Sequence, residues 1–470
     1  MHKIRTQRIV VTTQHVSRRR RPPSSRHYTA TQLHHARLAV SALFFTNGAI
    51  FANIVPRFPE IKRIHELDNA VYGLALAAFP AGGIIAGVFA APLIRKFGSA
   101  PVAVAGTLLT ALGLIMAGVG PTGIFFAAGM FLGGACDAAT DVGQNAHGLR
   151  VQRHYGRSII NTFHATWSVG AMSGGLMSAA AIGIGLSVPT HMVLSGILWA
   201  VVALVARRFC LPGNDAADPG PSGTSAGHVG GGAGDAGEVA SSSALNAATQ
   251  EAEPTGSSES SGTSGPLTLR TVAMLGALVL IATMGGLIED AGSSWATLYV
   301  GQLGAAGGLA AAGYVGLVGS QFVGRLLGDG LVDRFGRRTV AQGGAALITA
   351  GMGLALLFPS VLGTIAGFAV AGFGSATLVP AAIQQADELP GLKPGTGLTA
   401  ISWLMRIGFL VSPPIVGMVA DTFGLRTGLC VVPFAGITVL LLSGTLSQGA
   451  RDERHIPAPP RPSVREEEES

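Results

Sequence analysis

Ionisable side chains inside long apolar segments are the residues of this chain that could do chemistry. Asp137 and Asp141 recur at helical spacing within the apolar segment 121–147, so they share one face of a helix, and Asn145 lies beside them. Ionisable groups within such a segment are costly, and for that reason they are functional candidates. A buried aspartate could bind and release a proton, because burial favours the uncharged carboxyl group.

Two alternatives remain open for these aspartates. Asp137, Asp141 and Asn145 also supply hard oxygen ligands, so they could bind sodium instead of a proton. Asp141 could also form a purely structural bridge to an arginine near the inner surface, such as Arg150 or Arg153, which follow the apolar segment.

Further polar candidates lie in later apolar segments. His164 could exchange protons near neutral pH or hydrogen-bond an aspartate of the preceding helix. Glu289 and Asp290, at the end of the seventh apolar segment, could contact a polar or cationic substrate or simply meet water. Three tryptophans could stack on a sugar ring, or could pack ordinarily in the core or at the membrane interface. They are Trp167, Trp295 and Trp403.

An arginine also lies far inside an apolar segment. Arg406 needs a partner there, because an unpaired charge away from water is unfavourable. It could bind an anionic substrate, or it could pair with Asp387 or Glu388 near the end of the tenth segment.

The elements that must position these residues are transmembrane helices. Only 12% of the 470 residues are charged, about half of what a soluble protein carries, and the mean hydropathy is +0.47. We count about twelve apolar segments, most of them near or above the roughly 20 residues that span a bilayer. The composition therefore predicts an all-α membrane protein.

A change of composition divides the chain in two. Residues 213–266 are rich in Gly, Ser, Ala, Asp and Glu and predict a disordered linker. It separates an N-terminal bundle of six helices, 36–212, from a C-terminal bundle of six, 267–447. We also expect a basic disordered tail at 1–35 and a second disordered tail at 448–470.

The distribution of basic residues predicts the orientation. Arginines and lysines concentrate in alternate loops, which favours cytoplasmic termini, a cytoplasmic linker and a bacterial-type inner membrane. The loop 57–68, with three basic residues, is the exception. The same asymmetry accounts for the net charge of +6 without a nucleic-acid partner.

Signs of enzymatic chemistry are missing from the sequence. There is no P-loop, and no His/Cys cluster has metal-ligand spacing. We therefore expect no enzyme activity, no cofactor and no metal, and an ion gradient, preferably of protons, as the energy source. Since one chain contains both bundles, we expect a monomer.

Two loops at matching positions in the halves resemble one another. The first contains Arg95, Lys96 and Gly98. The second contains Asp333, Arg334, Gly336, Arg337 and Arg338. Each is a turn with a glycine flanked by cations, and the shared position favours an internal duplication.

The second loop resembles the signature loop of the major facilitator superfamily (MFS), and the resemblance covers the membrane portion of the chain. Residues 56–62, 161–165 and 294–295 are more narrowly similar to a poorly characterised bacterial branch near the fucose permeases. Those relatives have an acid in helix one, where this chain offers Asn47 and Asn53, and a coupling carboxylate in helix four.

The resemblance implies two six-helix bundles, related by a pseudo-twofold axis, that rock around a central cavity. The signature loops would latch one closed state, with Arg337 and Arg338 facing Asp387 and Glu388. Alternatively, these charges only anchor helix ends. Within the same segment, Arg325 and Asp329 would position the loop.

Three functions are compatible with the sequence. The first is secondary active, proton-coupled uptake of a small polar or sugar-like solute, and the second is proton-antiport export of drugs or metabolites. The third is a non-transporting sensor with a transporter fold. The resemblance implies that a drug antiporter would have a glycine-rich motif ending in Gly-Pro in the fifth segment, and Ser178-Ala179 at that place disfavours export. The lack of an appended folded domain disfavours a sensor.

Overall fold

The computed structural model of the protein describes residues 28–156, 159–213, 268–389, 392 and 396–446. These residues form helices and short turns, and no strand occurs among them, which confirms the predicted all-α fold. Nearly all of the predicted linker 213–266, the tail 448–470 and residues 1–27 of the first tail lie outside the described part of the chain.

The first helix, α1 (Ala30–Ile54), begins before the predicted boundary at residue 36. The hydroxyl of Thr29 accepts a hydrogen bond from the Gln32 amide at 3.2 Å, and the Gln32 side chain accepts one from the Thr29 amide at 2.9 Å. This reciprocal capping box starts the helix within a polar stretch. A boundary placed by hydropathy misses it, so the predicted disordered tail extends too far.

The N-terminal half continues through six more helices. A 3₁₀ turn, Val55–Arg57, connects α1 to the short α2. The helices are α2 (Phe58–Ile64), α3 (Asn69–Phe97), α4 (Ser99–Val119), α5 (Gly123–Tyr155), α6 (Ile160–Gly183) and α7 (Val188–Arg207). Since α2 prolongs α1, this half has six long helical segments, as predicted.

The C-terminal half repeats that arrangement with some breaks. Its helices are α8 (Leu269–Gln302), α9 (Ala312–Phe335), α10 (Arg337–Leu357), α11 (Val361–Ser375), α12 (Leu378–Asp387), α13 (Thr396–Phe423), α14 (Leu425–Gly428) and α15 (Val431–Leu442). Since α11 with α12, and α14 with α15, each follow one another closely, the half again has six long segments.

Ten helical stretches of the described chain are long and apolar enough to cross a membrane. The two long helices that fall short on this criterion are α6 and α9, each with 24 residues, which at 1.5 Å per residue is still long enough to span. Both are more polar, since α6 contains Asn161 and His164 and α9 contains Arg325 and Asp329. These two helices face each other across the interior of the molecule, which explains their composition.

Glycines allow α1 and α6 to pack with their backbones in contact. A Cβ on Gly48 would meet the carbonyl oxygen of Trp167, and Cβ atoms on Gly170 and Gly174 would meet those of Phe45 and Ala49. Small residues at a helix interface are the usual means of close approach in membranes. The glycines of the fifth segment therefore have a packing role here.

The two turns that resemble one another in sequence also share a conformation. Gly98 has φ 89° and ψ 156°, and Gly336 has φ 84° and ψ 152°, in the left-handed region that favours glycine. In each turn a cation lies over the ring of the phenylalanine that comes just before the glycine, Lys96 over Phe97 and Arg334 over Phe335. We call the end of the molecule with these two turns the signature end, and the other the opposite end.

The two halves pack against one another at the opposite end. The carboxylate of Asp421 on α13 accepts hydrogen bonds from the backbone amides of Asn69 at 2.9 Å and Ala70 at 2.7 Å, at the start of α3. The hydroxyl of Tyr72 donates to the carbonyl of Ser294 on α8 at 2.8 Å. These bonds join helices of different halves and close the molecule at this end.

One of the three basic residues in the exceptional loop 57–68 is buried and paired. Arg57 is only 2% exposed, and its guanidinium contacts Glu60 at 2.7 Å, the carbonyl of Leu186 at 2.7 Å and His191 Nδ1 at 3.2 Å. A buried, paired arginine carries no information about which side of a membrane a loop occupies, because it does not face the aqueous phase.

Candidate functional site

A cavity of about 350 Å³ lies between the two halves. Helices α1, α3, α5 and α6 line it from the N-terminal half, and α8, α9, α12 and α13 from the C-terminal half. Its acidic and basic side chains are Asp137, Asp141, Glu289, Asp290, Arg325 and Arg406. The site therefore brings four carboxyl groups together with two guanidinium groups in a space suited to a small organic molecule.

On the N-terminal face, Asp137 is held by neutral hydrogen-bond donors. Its Oδ1 accepts a hydrogen bond from Asn47 Nδ2 at 2.7 Å. The indole nitrogen of Trp167 donates to Asn47 Oδ1 at 2.8 Å, and this bond fixes which end of the amide points to the carboxylate. All three residues line the cavity. Asn47 therefore links α1, α5 and α6.

The second aspartate of α5 faces a cation of the other half. Asp141 interacts electrostatically with Arg406 of α13, and its Oδ1 also accepts a hydrogen bond from Asn145 Nδ2 at 2.9 Å. Arg150, which the sequence offered as a partner, donates to the carbonyl of Pro212 at 2.8 Å. The α5 carboxylates thus point to the interior and to the opposing half.

On the C-terminal face, Glu289 has two partners on α9. Its Oε2 accepts a hydrogen bond from Gln321 Nε2 at 3.0 Å and lies 3.7 Å from the guanidinium of Arg325. Arg325 was expected to position the signature loop, but it also lines the cavity. One turn further on, Asp329 lines a second pocket of about 30 Å³ together with Arg325 and Arg337.

Gln321 is a cavity residue that the sequence analysis did not single out. Its position one turn before Arg325 on the same helix face was the available signal, because residues four apart lie one above the other. Tyr314, Phe322 and Phe409 also line the cavity, and nothing in their sequence setting distinguishes them from core aromatics.

Asp290 differs from the other three cavity carboxyl groups. Its Oδ1 lies 3.5 Å from the hydroxyl of Ser294 on the same helix, a long contact for an O–H donor. Its Oδ2 is buried and has no hydrogen-bond partner among the described residues, although the hydroxyl of Ser412 on α13 also interacts with this carboxyl group. This oxygen is the least satisfied of the acidic atoms at the cavity.

Some predicted site residues lie beside the cavity and do not line it. Asn145 is buried behind Asp141, and His164 is 2% exposed with its ring edge-on to Phe44 at 5.1 Å. Trp295 is fully buried against Tyr72.

Of the three tryptophans, Trp167 lines the cavity, whereas Trp403 does not. Trp403 is 40% exposed on the outer surface of the bundle, where it is placed to meet lipid and not a solute. The structure therefore brings one of the three predicted stacking residues to the cavity.

At the signature end, Arg337 and Glu388 form an ion pair within the C-terminal half. Arg337 Nη1 lies 2.7 Å from Glu388 Oε2 and joins the start of α10 to the end of α12. Around it, Arg95, Asp333 and Asp387 are exposed, and Arg338 is half-buried. Because Arg337 and Glu388 belong to the same half, their bond braces that half and does not itself join the two.

Two bundles of six long helices around a cavity with ionisable side chains, closed to one side by contacts between the bundles, are the architecture of a membrane transporter. Residues 40–329 match the Major Facilitator Superfamily over more than half of the chain. The chain belongs to this superfamily, as the signature loop predicted.

Related proteins and solved structures agree with this assignment. The chain is 26% identical to the "Membrane protein MosC" of Rhizobium meliloti over 406 residues, which cover 86% of this chain and 88% of that protein. It is 23% identical to the "Uncharacterized transporter y4wD" of Sinorhizobium fredii, covering 87% and 97%.

The similar solved structures show the fold. A D-xylose-proton symporter matches with a TM-score of 0.64 and 14% identity, covering 89% of this chain and 99% of that one. The nucleoside transporter NupG matches at 0.62 and 13%, covering 87% and 97%. The MFS transporter FucP, in its outward conformation, matches at 0.51 and 19%, covering 89% and 100%.

Proposed function

We propose that this protein takes up a small polar solute together with protons by alternating access. The observation that carries the proposal is the cavity between the halves, lined by ionisable side chains of both and closed at the opposite end. A solute and a proton that bind there contact both halves, so each can change the free-energy difference between two arrangements of the halves.

The signature end would face the cytoplasm of a bacterial cell, with both chain termini and the linker on that side. The exposed cations Arg95, Lys96 and Arg334 support this orientation, because cytoplasmic loops carry the excess of arginine and lysine. The buried pairing of Arg57 removes one of the three basic residues of the loop 57–68 from the charges that face water.

Asp137 and Asp141 would couple the proton to this movement. Asp137 has neutral partners, so a proton that binds to it removes an uncompensated charge from a poorly hydrated site. Asp141 interacts with both Asp137 and Arg406. Loss of charge at Asp137 would remove its repulsion of the Asp141 carboxylate, and would thereby alter the electrostatic contact of Asp141 with Arg406 between the halves.

The test is the lumenal pH of proteoliposomes that contain the purified protein. Sugars, small acids, amines and dyes would be added outside, with wild type compared to Asp137→Asn, Asp141→Asn and the exposed, matched control Glu66→Gln. Uptake with protons predicts acidification by a polar solute that both aspartate variants lose and the control keeps. A parallel series in sodium would show whether sodium replaces the proton.

Other outcomes would replace the proposal. Proton movement opposite to a transported apolar cation would establish export. If no solute moves protons, coupling is wrong, and counterflow of a radiolabelled solute without a gradient would then separate a uniporter from a non-transporting sensor.

A further inference from the structure

The four cavity carboxyl groups divide by their partners. Asp141 interacts with the guanidinium of Arg406, and Glu289 lies 3.7 Å from that of Arg325. Asp137 has an amide donor at 2.7 Å, whose orientation is fixed in turn. Asp290 has only neutral hydroxyl groups near it, Ser294 of its own helix at 3.5 Å and Ser412 of α13, and its second oxygen is buried without a hydrogen-bond partner in the described part of the chain.

The surroundings of Asp290 are aromatic and apolar. Tyr72, which is close enough for electrostatic interaction with Asp290, packs edge-on against Phe58 with ring centroids 6.4 Å apart. On the other side, Phe409 packs against Gly286, one helical turn before Asp290. Phe58 and Phe409 both line the cavity. A carboxylate that has only neutral partners, in a cavity that aromatic rings also line, is an arrangement that attracts an organic cation.

A metal cation fits this position poorly. Hard cations such as Mg²⁺ and Ca²⁺ take about six or more oxygen ligands. Among the described residues there is no group of three or more His, Cys, Asp or Glu side chains that could hold a metal ion. An ammonium group needs fewer oxygens, because aromatic rings and one carboxylate together satisfy its charge.

We propose that the transported solute carries an ammonium or similar organic cationic group, and that Asp290 binds it. The inference rests on the proposed function, since it assigns the substrate class of the same cavity. It gives the four acids different roles. Asp137 and Asp141 exchange the proton and sense the other half, Glu289 stays with Gln321 and Arg325, and Asp290 recognises the charge of the solute.

The experiment compares pairs of compounds that differ only in charge. Choline and 3,3-dimethyl-1-butanol, glucosamine and glucose, and putrescine and 1,4-butanediol would be titrated at fixed pH and ionic strength. Binding to the purified protein in nanodiscs would be followed by tryptophan fluorescence, since Trp167 lines the cavity. We expect a cation of at least one pair to bind about tenfold or more tightly than its neutral partner, as a charge-assisted contact provides.

Variants locate that preference. Asp290→Asn keeps the size and removes the charge, so it should abolish the preference for the cation while the neutral partner binds as before. Asp290→Glu should retain part of it, and Glu66→Gln should retain all of it. If Asp290→Asn fails to fold, as judged by gel filtration, Asp290→Ser takes its place.

Three results would overturn the inference. They are no preference for the cation in any pair, an undiminished preference in the Asp290 variants, and equal competition by sodium and by choline. These results are separable from failure of the proposed function. Proton uptake driven by a neutral solute, without any preference for cations, would contradict only the proposed substrate class. Asp290-dependent binding of a cation without proton movement would contradict only the proposed coupling.

Discussion

The two faces of the cavity treat charge in different ways. The N-terminal face holds its innermost acid, Asp137, with the neutral donor Asn47, which Trp167 orients. The C-terminal face supplies both arginines of the cavity, Arg325 and Arg406. One of these cations lies beside an acid of its own half, and the other reaches an acid of the opposing half.

The two halves therefore share a backbone arrangement, but the charged residues that they bring to the cavity differ. The turns at Gly98 and Gly336 have nearly the same dihedral angles and the same cation over a phenylalanine ring. No such correspondence exists between the cavity faces. A duplicated fold can therefore assign the coupling ion to one half and the fixed positive charges to the other.

The largest effect should come from the neutral environment of Asp137. We expect Asp137→Asn to abolish accumulation of solute driven by a pH gradient, because the variant cannot take up a proton there, while exchange of solute without a gradient continues. Uptake and counterflow of the same radiolabelled solute in proteoliposomes measure the two. Asp137→Glu should recover part of the accumulation. Full accumulation by Asp137→Asn would end the assignment of coupling to this face.

The contact between the faces should give the next largest effect. Arg406→Gln leaves Asp141 without its cation, so we expect transport to fall about tenfold, since removing one partner of a buried pair leaves an unfavourable charge. Asp141→Asn combined with Arg406→Gln should be less impaired than the two single changes predict. A double-mutant cycle on initial transport rates measures this coupling. Strict additivity would mean that the faces do not interact through this pair.

The pair within the C-terminal face should matter less. Arg325→Gln removes a cation 3.7 Å from Glu289 but leaves the hydrogen bond from Gln321. Both charged groups are partly solvated, so we expect a loss of about 1 kcal/mol at most, roughly fivefold in solute affinity. Titration of the solute by fluorescence measures it. A loss as large as that of Arg406→Gln would show that both arginines serve the same purpose.

The smallest effect should follow from the indole of Trp167. Trp167→Phe keeps an aromatic ring at the cavity but removes the donor to Asn47 Oδ1. We expect a loss of about 0.5–1 kcal/mol, the net contribution of a typical hydrogen bond. The measurement is the melting temperature in detergent, compared with Phe45→Leu as a change of similar size outside the cavity. No change in either melting temperature or coupling would show that Asn47 needs no support.

The sequence predicts which residues of a helix lie on the same face, but not the surroundings of that face. Helical spacing places Asp137 and Asp141 on one face, and the structure puts both at the cavity. Trp403 was offered as a residue that could stack on a sugar ring or lie at the membrane interface, and it is 40% exposed at the outer surface. Spacing identifies a helix face without saying which neighbour that face meets.

Helical spacing does not predict which residues of helices distant in sequence contact one another. The interaction of Asp141 with Arg406 joins two helices far apart in the sequence, and both residues had nearer candidates. The start of α1 shows the opposite case, because the capping box at Thr29 and Gln32 is a local signal that hydropathy alone passes over. The start of a helix can therefore be predicted from residues close in sequence, whereas the partner that a residue meets on a distant helix cannot.

The bond between Asp421 and the start of α3 has a consequence for how this protein can change during evolution. Its acceptor is a side chain, but its donors are the main-chain amides of Asn69 and Ala70. Any amino acid except proline provides such an amide, so these two bonds tolerate changes of side chain at position 70 and, apart from the further contact that the Asn69 side chain makes with the same carboxylate, at position 69. The bond from Tyr72 to the carbonyl of Ser294 is the reverse case, with the side chain in the N-terminal half and the main-chain group in the C-terminal half. Each half therefore contributes one side chain to the closure and meets the other half largely through main-chain groups, which constrain sequence less than side chains do.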